Sequence, residues 1–89
     1  MADTPRPLHV IAAEIRADWR GKDGASKVYF GAVPYLQALA HLDKITDKFG
    51  EDPGDDIVIY FLSNAKTWRG PVARRIKAEL QEMLKSIKS

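Results

Sequence analysis

Apolar residues recur at intervals of three and four along three segments of the chain, which is the spacing of one face of an α-helix. The segments are 8–20, 34–49 and about 70–87. Pro34 opens the second segment and Gly50 follows it, as expected for the first position of a helix and for the left-handed residue just past its end. The pattern therefore predicts three amphipathic helices.

A fourth apolar segment, 57–62, consists of residues that favour strands. Asp55 or Asp56 can cap a helix at this point, and a helix that is apolar on all sides would lie in the middle of the core. We therefore expect an all-α fold, a compact bundle of about four helices with this helix central. The alternative is an α+β fold in which residues 28–30 pair with residues 57–61.

The length of the chain, 89 residues, accommodates one domain, 1–89, with residues 1–7 expected to form a flexible N-terminal segment. The absence of cysteine excludes disulfides, thiolate metal sites and cysteine nucleophiles. The longest apolar run is far too short to span a membrane, and the start of the chain lacks the pattern of a signal peptide. We therefore expect a cytoplasmic protein that does not bind membranes.

Charge is distributed unevenly along the chain, whose net charge is +2. Residues 66–89 carry seven basic and two acidic side chains, whereas residues 1–65 carry seven basic and ten acidic ones. Such asymmetry bears on partners rather than on fold. The basic end favours an acidic protein surface or a nucleic acid as partner, and whether the acidic loop 51–56 adds a second contact surface is left open by the sequence.

The last predicted helix has a second stripe, polar and mostly cationic, on the side opposite its apolar stripe. Trp68 and Arg69 precede this helix, and Trp and Arg are residue types that dominate binding at interfaces. The candidate partner-binding residues are Lys66, Trp68, Arg69, Arg74, Arg75, Lys77 and Lys85. Arg75 is also spaced to pair with Glu79, one helical turn further on.

Three functions fit this basic face. The favoured one is docking on a host or phage protein. An alternative is nucleic-acid binding, because segment 63–71 joins a short helix to a longer basic one, as in a helix-turn-helix. Against it, Pro71, Val72 and Ala73 occupy the places where a recognition helix carries base-reading side chains. A further alternative is a self-associating structural protein.

Catalytic chemistry is not indicated by the sequence. His9 and His41 lie in different predicted helices, and no serine lies in a Gly-x-Ser-x-Gly context. The acidic residues of segment 47–56 do not match a calcium-binding loop, and no glycine-rich phosphate loop is present. We therefore expect a non-enzymatic protein without a metal or cofactor.

Three runs in the chain, 13–19 (AEIRADW), 31–36 (GAVPYL) and 60–70 (YFLSNAKTWRG), resemble those of small uncharacterised proteins from actinobacterial phages and related mobile elements. The similarity would span residues 8–84. It implies a phage-type protein that acts in the host bacterial cytoplasm by binding a host or phage component. It transfers no catalytic or binding residue to this chain.

Overall fold

The computed structural model of the protein describes residues 6–19 and 30–88. Within these residues it has four α-helices, and the expected mostly helical bundle is confirmed. They are α1 (Leu8–Trp19), α2 (Val33–Leu39), α3 (Gly54–Ser63) and α4 (Pro71–Lys88). A 3₁₀ turn, Phe30–Ala32, leads into α2, and a two-stranded antiparallel hairpin joins β1 (Lys48–Phe49) to β2 (Asp52–Pro53).

All four helices contribute to one hydrophobic core, and its centre is aromatic. The rings of Trp19 and Trp68 stack with centroids 5.5 Å apart. Phe61 meets both indoles edge-on, at 6.2 and 6.4 Å. Offset-stacked and edge-to-face contacts of this kind add to the stabilisation that burial of the rings provides. The aromatic cluster therefore ties the end of α1 to α3 and to the segment before α4.

Helices α1 and α4 run antiparallel, as three polar contacts made by these helices and the residues just before them show. Asp18 contacts Trp68, Glu14 contacts Arg75 and Arg6 contacts Glu79. The positions fall along the first segment as they rise along the second, so the two run in opposite directions. Arg6 belongs to the segment predicted to be flexible. Its guanidinium binds both Glu79 and Glu14, whereas residues 1–5 lie outside the described part of the chain.

The prediction that the second helix reaches residue 49 is wrong, because α2 ends at Leu39. The chain then turns, and the carbonyl oxygens of Leu42 and Asp43 accept hydrogen bonds of 2.8 Å from the backbone N–H groups of His9 and Leu8. The first N–H groups of a helix have no partner within it. The residues after α2 therefore satisfy the start of α1 instead of extending their own helix.

The predicted left-handed conformation of Gly50 is confirmed, with φ of 65°. Its structural role differs from the prediction, because it lies in the turn of the hairpin between β1 and β2 rather than past a helix. The alternative pairing of 28–30 with 57–61 is also wrong, because 57–61 belong to α3. Phe30 lies in the 3₁₀ turn, and residues 28–29 are outside the described range.

The helix predicted over 57–62 is confirmed as part of α3, but it starts earlier, at Gly54. Asp55 and Asp56 consequently lie in the first turn and not at the cap, which is Pro53 and makes no side-chain bond. Acidic side chains in a first turn still interact favourably with the helix dipole. Gly54 is required by packing, because a Cβ there would lie 2.6 Å from the carbonyl oxygen of Ile45.

Helix α3 is not buried on all sides, contrary to the expectation for an entirely apolar helix. Ile57, Val58 and Phe61 point into the core, whereas Tyr60 is 52% exposed and Ile59 36%. The side of α3 that carries Ile59 and Tyr60 is therefore open to solvent.

The predicted apolar stripe of α4 is largely confirmed. Ile76, Leu80 and Met83 are buried in the core. Ile87, in the last turn, remains 36% exposed. Among residues 6–19 and 30–88, no helix combines the length and the apolar character needed to cross a membrane.

Candidate docking surface

The loop between α3 and α4, residues 64–70, is held against the core by Trp68. The indole is only 2% exposed, and its Nε1 donates a 2.8 Å hydrogen bond to Asp18 at the end of α1. The backbone N–H of Trp68 donates to the carbonyl of Ala65, a second buried residue of the loop. With Ala65 and Trp68 turned inward, Lys66 and Arg69 are left exposed on the outer side.

Gly70 directs the loop into α4. Its φ is 116°, a backbone conformation that other residues rarely adopt, and its carbonyl accepts a 2.9 Å hydrogen bond from the N–H of Arg74. This bond begins the helix and places the side chain of Arg74 next to the end of the loop. Two exposed arginines, Arg69 and Arg74, thus flank one glycine.

Four cations gather around this junction: Lys66, Arg69, Arg74 and Lys77, which we call the basic cluster. Arg69, Arg74 and Lys77 line one concave pocket of about 320 Å³, whose remaining lining includes Gly70 and Ala73. Lys66 lines a neighbouring pocket of about 250 Å³. None of the four pairs with a carboxylate within residues 6–19 and 30–88. The protein's own described acids therefore leave this positive charge uncompensated.

Lys77 forms the inner wall of the larger pocket. Its Nζ donates a 2.7 Å hydrogen bond to the carbonyl oxygen of Trp68 and lies 5.9 Å from the centroid of the indole. Partial burial lowers the pKa of Lys77, and the nearby charge of Arg69 lowers it further. The two cations are therefore close enough to repel each other, and an anion bound between them would relieve that repulsion.

Three of the seven residues predicted to bind a partner lie outside the basic cluster. Trp68 lines the larger pocket but is only 2% exposed, and its burial holds the loop in position. Arg75 bonds to Glu14 of α1, and the predicted pair of Arg75 with Glu79 is wrong. Arg75 and Glu79 are instead each bonded to a residue far away in sequence: Arg75 to Glu14 of α1, and Glu79 to Arg6 before α1. The spacing within one helix could not reveal these partners.

Lys85 is the third predicted residue outside the cluster. It lies two helical turns beyond Lys77, and its Nζ is 3.9 Å from a carboxylate oxygen of Glu82. Both side chains are 76% exposed, so this contact stabilises the fold little. The predicted cationic stripe of α4 is therefore divided, with only its first two members, Arg74 and Lys77, at the junction.

The exposed face of α3 was missed by sequence reasoning, and α3 ends where the loop of the basic cluster begins. Tyr60 packs against Tyr35 with ring centroids 5.6 Å apart. Its carbonyl accepts a 2.9 Å bond from the side-chain amide of Asn64, which lines the same pocket as Lys66. A sequence signal existed: Asp56 and Ser63 are polar and seven residues apart, so they share one face of a helix.

The junction differs from a helix-turn-helix in two respects. Its loop has seven residues, 64–70, whereas the turn of that motif has about three or four. At the start of α4, Pro71 has no polar side chain, Val72 is half-buried and Ala73 is buried. The first three positions of α4 therefore offer no side chain that can read the edges of bases, and Arg74 is the first residue of the helix that could.

The two histidines lie apart. The Nε2 of His9 is 3.0 Å from an oxygen of Asp43, and the ring of His41 stacks on Phe49 at 5.5 Å. In the described part of the chain, no three potential ligands among His, Asp and Glu are grouped so that they could hold a metal ion.

Comparisons of the chain with protein-family models, with curated proteins and with solved structures found no match. The resemblance to phage proteins noted above therefore stays an expectation. The chemistry of the basic cluster is what bears on function.

Proposed function

We propose that this protein is a non-enzymatic binding module that docks on an acidic surface of a partner protein through its basic cluster. The observation that carries the proposal is the convergence of Arg69, Arg74 and Lys77 on one pocket without a carboxylate partner among the described residues. Charge of one sign in a concave surface raises the rate at which an oppositely charged partner is captured. A host or phage protein in the bacterial cytoplasm is the partner class we favour.

The surroundings of the cluster favour a protein partner over a nucleic acid. Trp68 lines the pocket together with the cations, and the exposed side chains of Ile59 and Tyr60 lie on α3, the helix that leads into the loop of the cluster. Tyr and Arg are enriched at protein interfaces. Phosphate backbones require cations but not such apolar area, and the first three residues of α4 lack base-reading groups.

The proposal is tested by fluorescence anisotropy with two labelled probes at about 50 mM salt. One probe is a peptide of alternating glutamate and aromatic residues, and the other is a random-sequence DNA duplex. The test variant is Arg69→Gln with Arg74→Gln. The matched control is Lys48→Gln with Lys85→Gln, which removes the same charge from exposed positions outside the cluster.

We expect the peptide to bind, the test variant to weaken binding about tenfold or more, and the control to change it about threefold or less. Failure of the peptide to bind, or an equal loss in both double variants, would refute docking through the cluster. Tighter binding to DNA than to the peptide, with a steep salt dependence, would favour the nucleic-acid alternative instead. Sedimentation at several protein concentrations tests the self-association alternative.

A further inference from the structure

A second concave surface lies at the other end of α4 from the basic cluster. Because α1 and α4 are antiparallel and Arg6 is bonded to Glu79, the last turns of α4 extend past the start of α1. The turn 43–46 lies there and leaves a cleft of about 610 Å³ between the two. We call this space the apolar cleft, and its volume lies within the range of small-molecule sites.

The walls of the apolar cleft are mainly hydrocarbon. Pro7, Ile45, Met83 and Ile87 line it. Ile45 is only half-buried and Ile87 is 36% exposed, so both present apolar surface to the cleft's interior without closing it. Met83 has an unbranched, flexible side chain that adapts to differently shaped apolar groups. An apolar ligand body would fit these walls.

The polar rim of the cleft favours a negative group. Lys44 lines it and is exposed, and its ammonium group forms no ion pair with a carboxylate within residues 6–19 and 30–88, although its backbone N–H donates to Asp47. Of the residues that line the cleft, Asp43 carries the carboxylate, and one of its oxygens lies 3.0 Å from the Nε2 of His9. The hydroxyl of Thr46 adds a donor to the rim. The rim thus offers a cation and a hydrogen-bond donor, while its carboxylate is already engaged.

We infer that the apolar cleft binds a small amphipathic carboxylate, with its aliphatic body between Ile45 and Met83 and its carboxylate beside Lys44. Burial of the aliphatic body supplies most of the affinity, and the charge of Lys44 orients the ligand. This site shares no residue with the basic cluster, so the inference does not depend on the proposed docking function.

The test is a titration of the ¹⁵N-labelled full-length protein followed by NMR, with octanoate below its micelle concentration and with octanol as the neutral counterpart. We expect saturable shifts of the backbone amides in segments 44–46 and 83–87. Lys44→Gln is expected to weaken octanoate binding about fivefold and to leave octanol binding unchanged. Lys48→Gln, at an exposed lysine outside the cleft, serves as the matched control and is expected to change neither.

A third variant tests the wall of the cleft. Ile87→Asp, in the last turn of α4, is expected to weaken both ligands, and the dispersion of its NMR spectrum checks that the fold is retained. Shifts confined to residues 66–77 would show that octanoate binds the basic cluster as a simple anion, and would overturn the inference. Equal effects of Lys44→Gln and Lys48→Gln, or full binding by Ile87→Asp, would also overturn it.

Discussion

The indole nitrogen of Trp68 donates a 2.8 Å hydrogen bond to a carboxylate oxygen of Asp18 across the interface of α1 and the α3–α4 loop. The bond satisfies the one polar group of a ring that is otherwise buried against Trp19. Arg69, the next residue, is exposed, and the carbonyl of Trp68 binds Lys77. The position of the basic cluster therefore depends on this contact with the core.

Replacing Asp18 is expected to destabilise the fold by removing the acceptor of the indole N–H. Asp18→Ala should lower the free energy of unfolding by about 1–3 kcal/mol, the cost of leaving a buried donor without a partner. Asp18→Asn keeps an acceptor oxygen and should cost less. Urea unfolding followed by tryptophan fluorescence measures both, and equal stability of Asp18→Ala and the wild type would contradict the assigned hydrogen bond.

Gly54 is expected to tolerate no side chain. In Gly54→Ala the new Cβ would lie 2.6 Å from the carbonyl oxygen of Ile45 and 3.0 Å from that of Asp47, so the backbone must move. We expect a loss of about 1–3 kcal/mol in the free energy of unfolding. The control is Gly50→Asn, because Asn tolerates the left-handed conformation and nothing lies within 4 Å of a Cβ there. A smaller loss for Gly54→Ala than for Gly50→Asn would refute the close approach.

Glu14 is expected to make the stability depend on pH. Hydrogen bonds from Arg6 and then from Arg75 hold the pKa of Glu14 below its ordinary value of 4.5. The folded state therefore binds this proton more weakly than the unfolded state does. The resulting stabilisation is complete above about pH 4.5 and is lost as the pH falls through the folded-state pKa.

The matching experiment compares wild type and Glu14→Gln in urea unfolding across this acidic range. The wild type should be the more stable at neutral pH, and the difference should close on acidification. Glu82→Gln is the control, because Glu82 is 76% exposed and its contact with Lys85 contributes little. A difference between wild type and Glu14→Gln that does not change with pH would contradict the assignment.

Removing Arg69 is expected to raise the pKa of Lys77. Arg69→Gln eliminates the repulsive charge but leaves the partial burial, so the pKa should move toward the ordinary 10.5 without reaching it. NMR titration of the lysine side-chain carbons measures the shift. Lys85→Gln, further along α4, should leave the titration of Lys77 unchanged. If the titration midpoint of Lys77 is the same in Arg69→Gln and in the wild type, the charge of Arg69 does not act on Lys77, and the description of the basic cluster is weakened.

The candidate site was only partly predictable from the sequence. Lys66, Arg69, Arg74 and Lys77 were predicted as a charged surface, because exposed cations follow from composition and helical spacing. Trp68 was assigned to the same surface, since its residue type is equally common in cores and at interfaces. Its burial results from its contacts with Trp19 and Asp18, which are far away in sequence.

The sequence by itself determined which segments became helices at α1 and α4, because apolar spacing and helix-terminal residues act over a few neighbouring positions. Only the tertiary structure decided where α2 stops. The backbone carbonyls of residues 42–43 accept hydrogen bonds from the start of α1 and therefore do not continue α2. The tertiary structure also decided which charges are neutralised. Arg75 meets Glu14 across 61 positions of sequence, and a contact of that kind exists only once helices have packed.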